Sequence, residues 1–160
     1  MTKKKSLSAI VLAMLAALLL GMPAGCGKQE PQDLTVGQIA EKLAGLAAAQ
    51  GLESAADYAD VFYAQVDFEK VEDFEVLSPM MNVKASEIAV FRVKDETDGP
   101  EIQQALEQRA QDVRDSFEFY LEDQYEIAQK AEVRVKGPFV CLMIDENAAD
   151  MAEEFEKMVK

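Results

Sequence analysis

The sequence predicts an α+β domain, a mostly antiparallel four-stranded sheet packed with helices in the order α-α-β-β-α-β-β-α. Three observations carry this. Apolar residues recur at helical spacing in 34–50, 100–121 and 148–159. Two short runs, 87–94 and 139–145, are apolar on both faces, as strands covered from both sides are. Glycine, proline and aspartate mark the breaks between segments.

Each element has a local reason. Thr35 with Gln38 forms a capping-box pattern, and Leu34 can staple against Ile39. Ile39, Leu43 and Leu46 share a face, and this first helix should end near Ala49 or Gln50, with Gly51 as the stop. Ala55, Tyr58, Val61 and Phe62 fit a short second helix, and Val66 to Asp73 a further turn. The acidic stretch Asp67, Glu69, Glu72, Asp73 and Glu75 lacks the ligand offsets and sharp glycine turn of a calcium loop, so it reads as a solvated face.

Phe74 to Val83 reads as a strand bent near Pro79, which cannot donate to a ladder and suits an edge, bulge or strand end. Glu87 to Lys94 is the next strand. Asp98 as cap, Pro100 in the first turn and Glu101 open the main helix. It should run to about Leu121, with Ile102, Leu106, Val113, Phe117, Tyr120 and Leu121 on its apolar side. Arg109 falls at the edge of that side, where its stem can cover apolar surface. Ala131 to Lys136 and Phe139 to Asp145 are two strands around Gly137-Pro138, a pair for which a wide turn or bulge is expected. Asp145 or Asn147 caps the last helix, whose stripe is Ala148, Met151, Ala152, Phe155, Met158 and Val159.

The N-terminus carries a different message. Lys3, Lys4 and Lys5 precede an apolar run from Ile10 to Leu20, the length of a signal h-region and short for a membrane span. Ala24, Gly25 and Cys26 then give small residues before a cysteine, the layout of a bacterial lipoprotein signal. Pro23 stands where such signals usually carry an aliphatic residue. The expected organisation is a signal peptide over 1–25, a lipidated tether over 26–33 beginning at Cys26, and a single domain over 34–160. More than one acyl chain on Cys26 would suffice for stable attachment to the membrane. The expected location is extracytoplasmic, lipid-anchored to the bacterial cell membrane.

Charge and composition bound the function. The formal charge is −14, and loss of three lysines with no acid would take it to −17. That field disfavours nucleic acid. Histidine is absent, and Cys141 is the single cysteine after Cys26. Cys141 sits in a continuous apolar run and reads as a small buried hydrophobe. No C-x-x-C, G-x-S-x-G or phosphate-cradling loop occurs, so the sequence points to no catalytic residue, no metal ligand and no cofactor.

The segments Ser86 to Lys94, the Arg109-bearing helix, Phe119-Tyr120-Leu121 and Val135 to Val140 resemble the DUF4358 family, small bacterial lipoproteins of unknown function. The resemblance extends over about 34–158. It implies secretion, lipid attachment and a compact α+β domain, with Glu87, Arg109, Tyr120 and Gly137 as the family-like structural positions. It implies no enzyme class.

The function expected is a binding or accessory module that docks to an envelope protein or captures a small ligand. Tyr58, Phe62, Tyr63, Met80 and Met81 are the expected surface. A carboxylate-dependent envelope hydrolase and a structural envelope protein are the alternatives. Glu87 and Arg109, each at the edge of an apolar face, are expected to pair.

Overall fold

The computed structural model of the chain describes residues 34–81 and 83–159. The segments expected to form the signal peptide and the tether, with Cys26, lie outside the described residues. Helix α1 (Val36–Ala44) is followed by strand β1 (Leu52–Ser54), helix α2 (Ala59–Phe62) and strands β2 (Val71–Pro79) and β3 (Glu87–Val93). Helices α3 (Gly99–Phe117) and α4 (Glu122–Ala128), strands β4 (Glu132–Lys136) and β5 (Phe139–Ile144), and helix α5 (Ala148–Met158) complete it. The strands form one antiparallel sheet in the order β1-β2-β3-β5-β4. The α+β class holds, with five strands instead of four and an extra helix.

The central pair is β3 against β5, in register from Glu87↔Ile144 to Arg92↔Phe139. Both strands are apolar on both faces because helices cover both faces. Ile88, Val90, Cys141 and Met143 pack against α1 and α5 through Ile39, Leu43, Met151 and Phe155. Ala89, Phe91, Val140 and Leu142 pack on the other side against α3 through Ile102 and Leu106. Full burial of an Ile, Leu or Phe contributes about 1.5–3 kcal/mol, so these two layers dominate the stability. Both layers and every strand fall within a single compact unit, residues 33–160.

The capping box at α1 is present: Gln38 N donates to Thr35 Oγ1 (3.2 Å) and Thr35 N to Gln38 Oε1 (3.0 Å). The helix stops at Ala44, earlier than periodicity predicts, because a distant carboxylate captures the chain beyond it. Asp145 accepts from Ala48 N (2.8 Å) and Ala49 N (3.1 Å), and Asn147 Nδ2 donates to Leu46 O (2.9 Å).

β1 is a strand that the sequence does not signal, because its three residues carry no periodicity. Its partners are Leu77 to Pro79, which places Pro79 at a strand end. α4 is only seven residues long, too short to show a period in the sequence; it buries Gln124 and Ala128 and packs Tyr125 and Ile127 against the core. α3 ends at Phe117, so Tyr120 is exposed rather than part of an apolar helix face. The Asp98 side chain does not cap α3; it pairs with Lys70 (3.3 Å).

The β4–β5 connection is also tighter than expected. Lys136 pairs with Phe139, leaving Gly137 and Pro138 as a two-residue turn with Gly137 at φ 52°. A type II′ turn needs positive φ only at its first central residue, so proline fits the second. Pro138 O then accepts from Val93 N (2.8 Å), carrying the β3–β5 ladder into the turn.

Candidate functional site

The buried polar side chains of the sheet gather at the end where β3 begins. Glu87 is the first residue of β3, and strand alternation aims it toward α3 on the side of Ala89 and Phe91. Arg109 lies on α3 one turn after Leu106, at the edge of the apolar stripe. The two meet as expected, in a two-pronged pair: Arg109 Nε to Glu87 Oε1 is 2.9 Å and Nη2 to Oε2 is 2.6 Å. Tyr63, just past α2, donates its hydroxyl to Glu87 Oε1 at 2.5 Å.

Burial makes this triad consequential. Glu87 and Tyr63 are 4% and 2% exposed. Burial, then the charge of Glu87 and its hydrogen bond, pushes the Tyr63 phenol well above its ordinary value, and Arg109 opposes part of that rise. Burial works against the Arg109 charge, but the hydrogen bonds and charge of Glu87 outweigh it and raise the guanidinium further. The guanidinium also lies over the Phe62 ring, 4.8 Å from its centroid. Tyr63 meets Phe91 edge to face at 5.3 Å, and Phe91 stacks on Phe74 at 5.7 Å, which fixes the phenol from beneath.

A cleft of about 390 Å³ opens above the triad. Glu87 and Arg109 line it together with Phe62, Met81, Lys84 and Phe117. A hollow of about 350 Å³ adjoins it through Phe62, Pro79 and Met80 and reaches Tyr58. Another of about 410 Å³ adjoins it through Pro79, Lys84 and Ser86. These sizes lie within the roughly 300–1,000 Å³ of small-molecule sites.

Four of the five residues expected at a binding surface are brought together here. Tyr58, Met80 and Met81 are exposed, and Phe62 is half-buried. Tyr63 is the correction: it is core, because its hydroxyl serves Glu87 and its ring serves Phe91. Among the described residues the exposed large apolar side chains are Tyr58, Val61, Met80, Met81, Phe119 and Tyr120. Met80 and Met81 line the cleft, Tyr58 lines the adjoining hollow, and Phe119 and Tyr120 follow Phe117 of the cleft wall in the chain. Of the family-like positions, Glu87 and Arg109 meet, Tyr120 stands beyond the end of α3, and Gly137 turns the hairpin at the opposite end of the sheet.

Several residues of this end escape sequence reasoning. Gln124 is buried and accepts from Ala85 N (3.0 Å), fixing the approach to β3. Asp145 is buried and also accepts from Asn147 N (3.0 Å), besides the two donors after α1. Its position directly after an apolar strand reads only as a helix cap in sequence. Glu87 and Asp145 project from opposite faces of the sheet, one to α3 and the other to the chain after α1. Cys141 is fully buried, and burial pushes its thiol up. Among the described residues, no three His, Cys, Asp or Glu side chains converge as a metal site would need.

A family model described as a domain of unknown function, DUF4358, matches residues 62–145, more than half of the chain. The chain belongs to that family. The match runs from Phe62 to Asp145, so it contains the Tyr63–Glu87–Arg109 triad and stops short of α1, β1 and α5. Comparison with curated proteins and with solved structures returned no match.

Proposed function

We propose that this DUF4358 member is a lipid-anchored extracytoplasmic binding module of the bacterial cell envelope, with its site in the cleft above Arg109. The cleft is the observation that carries the reading. It pairs apolar walls with a fixed cation on a rigid helix, the composition of a small-ligand site. The exposed Met80 and Met81 stand on its lining, and exposed Tyr58 lines the hollow that adjoins it, a local clustering of apolar surface of the kind that marks interaction sites. The anchor rests on the sequence alone, on Lys3 to Lys5, the apolar run and Cys26.

The hydrolase alternative needs two carboxylates converging on one substrate bond. Glu87 and Asp145 face opposite sides of the sheet, and each is engaged as an acceptor by two or more donors. That arrangement favours binding over acid–base chemistry.

The test is native mass spectrometry on the full chain purified from membranes of its own cells. A diacylated or triacylated N-terminus at Cys26 and a bound small molecule, lost in Met81→Asp, are expected. An unmodified N-terminus sinks the anchor. A bound species indifferent to Met81→Asp, or no bound species, sinks the site.

A further inference from the structure

The charge pattern of the same cleft narrows its ligand, an inference that rests on the binding reading. The protein carries −14 overall, yet the charged residues lining this cleft are Arg109, Lys84 and Glu87. Within the lining Glu87 offsets one of the two cations and leaves one in surplus, Lys84, whose charge also acts on Asp123 outside the lining. The hydrogen bonds to Glu87 use Arg109 Nε and Nη2. A guanidinium has about five N–H donors, so Nη1 and a second Nη2 proton are not committed to Glu87. The pair with Glu87 and the Phe62 ring hold that fork in place.

One surplus charge matches a monoanion. A polyanion would meet the acidic background once its first charge was neutralised. A planar carboxylate also matches the fork of a guanidinium. The rest of the wall is mixed: Ser78, Ser86 and Ser116 lie among apolar side chains, of which Phe62, Met80 and Met81 form one side, and the exposed thioethers of Met80 and Met81 adapt to more than one shape.

We propose that the cleft takes a small monocarboxylate with an apolar tail, its carboxylate between Arg109 and Lys84 and its tail against Phe62, Met80 and Met81. The global charge makes the claim easy to break. A protein this acidic should draw cations nonspecifically, so preference for an anion must come from the cleft.

The experiment is calorimetric titration of residues 33–160, which contain both core layers and every strand, after a cooperative thermal transition has been recorded. The ligands are octanoate, octan-1-ol and octylammonium. Octanoate is expected to bind at least about tenfold more tightly than either of the others. Lys84→Glu, at an exposed side chain, should weaken octanoate by about fivefold or more and leave the transition in place. Lys157→Glu, on α5, should leave octanoate affinity unchanged. Equal binding of octan-1-ol, tighter binding of octylammonium, indifference to Lys84→Glu, or no octanoate binding would each overturn the proposal. If octanoate fails while a molecule still copurifies in the native mass spectrum and is lost in Met81→Asp, the ligand class falls and the binding site stands.

Discussion

The two ends of the sheet are built by different physics. At the end where β3 leaves the core, the chain closes with tight turns and surface ion pairs. Gly137-Pro138 turns the hairpin, Asp95 caps a short turn through Thr97, Lys70 pairs with Asp98 and Glu101, and Lys136 pairs with Glu156. At the end where β3 enters, the polar groups are buried and joined over long sequence separations. Glu87 binds Arg109 and Tyr63, and Asp145 holds the chain after α1. Exposed pairs are worth little, whereas breaking a buried pair leaves an unpaired charge in the interior. The contrast separates an end that merely closes the fold from one that holds a charged group fixed beneath an open cleft.

The largest effect should come from Arg109→Met, which strands the Glu87 carboxylate. A loss of about 3–5 kcal/mol is expected in urea denaturation. The double variant Glu87→Gln with Arg109→Met should lose less than Arg109→Met alone, because no buried charge is left over. A double variant as unstable as Arg109→Met would show that packing, not charge, dominates the site.

Tyr63→Phe comes next, at about 1–3 kcal/mol, since it removes a buried donor from Glu87. The same residue gives a pH signature. Its folded pKa lies above its unfolded value. The stabilisation is therefore fully present below the unfolded value of about 10 and is lost as pH rises from there toward the folded value. Urea midpoints of the parent should fall through that alkaline window, and those of Tyr63→Phe should fall less.

At the opposite end the effects shrink. Gly137→Ala should cost about 1–2 kcal/mol, because φ of 52° places a Cβ against the following carbonyl. Lys157→Ala removes an exposed pair with Glu153 on α5 and should leave the urea midpoint unchanged within error. A large loss there would erase the distinction between the two ends.

Sequence made the two core layers legible and located the turn of the hairpin at the opposite end, though not its length, because these rest on local signals. Thr35 with Gln38 announces the start of α1, the double-faced runs 87–94 and 139–145 announce the central strands, and Gly137-Pro138 announces a turn. The pairing of Glu87 with Arg109 was also readable, since each sits at the edge of an apolar periodicity. The rest depends on contacts between distant segments. Asp145 reaches residues almost a hundred positions away and so shortens α1, which no window around α1 reveals. Gln124 is polar in a helix of seven residues, too short for its apolar side, Tyr125, Ile127 and Ala128, to show a period, so neither its helix nor its burial has a sequence signature. Tyr63 lies in the core although the sequence suggests a surface position, because an aromatic beside Phe62 gives no hint of which ring turns inward.

The central claim is that ligands meet the molecule at the cleft end and not at the hairpin end. Photocrosslinking of the full chain in living cells tests this most directly, with a photoreactive residue at position 81 in one strain and at position 156 in another. Both positions are exposed, and they mark the two ends. The account predicts a discrete adduct from position 81, abolished in Lys84→Glu, and none from position 156. Equal adducts from both positions, or an adduct from position 156 alone, would contradict it.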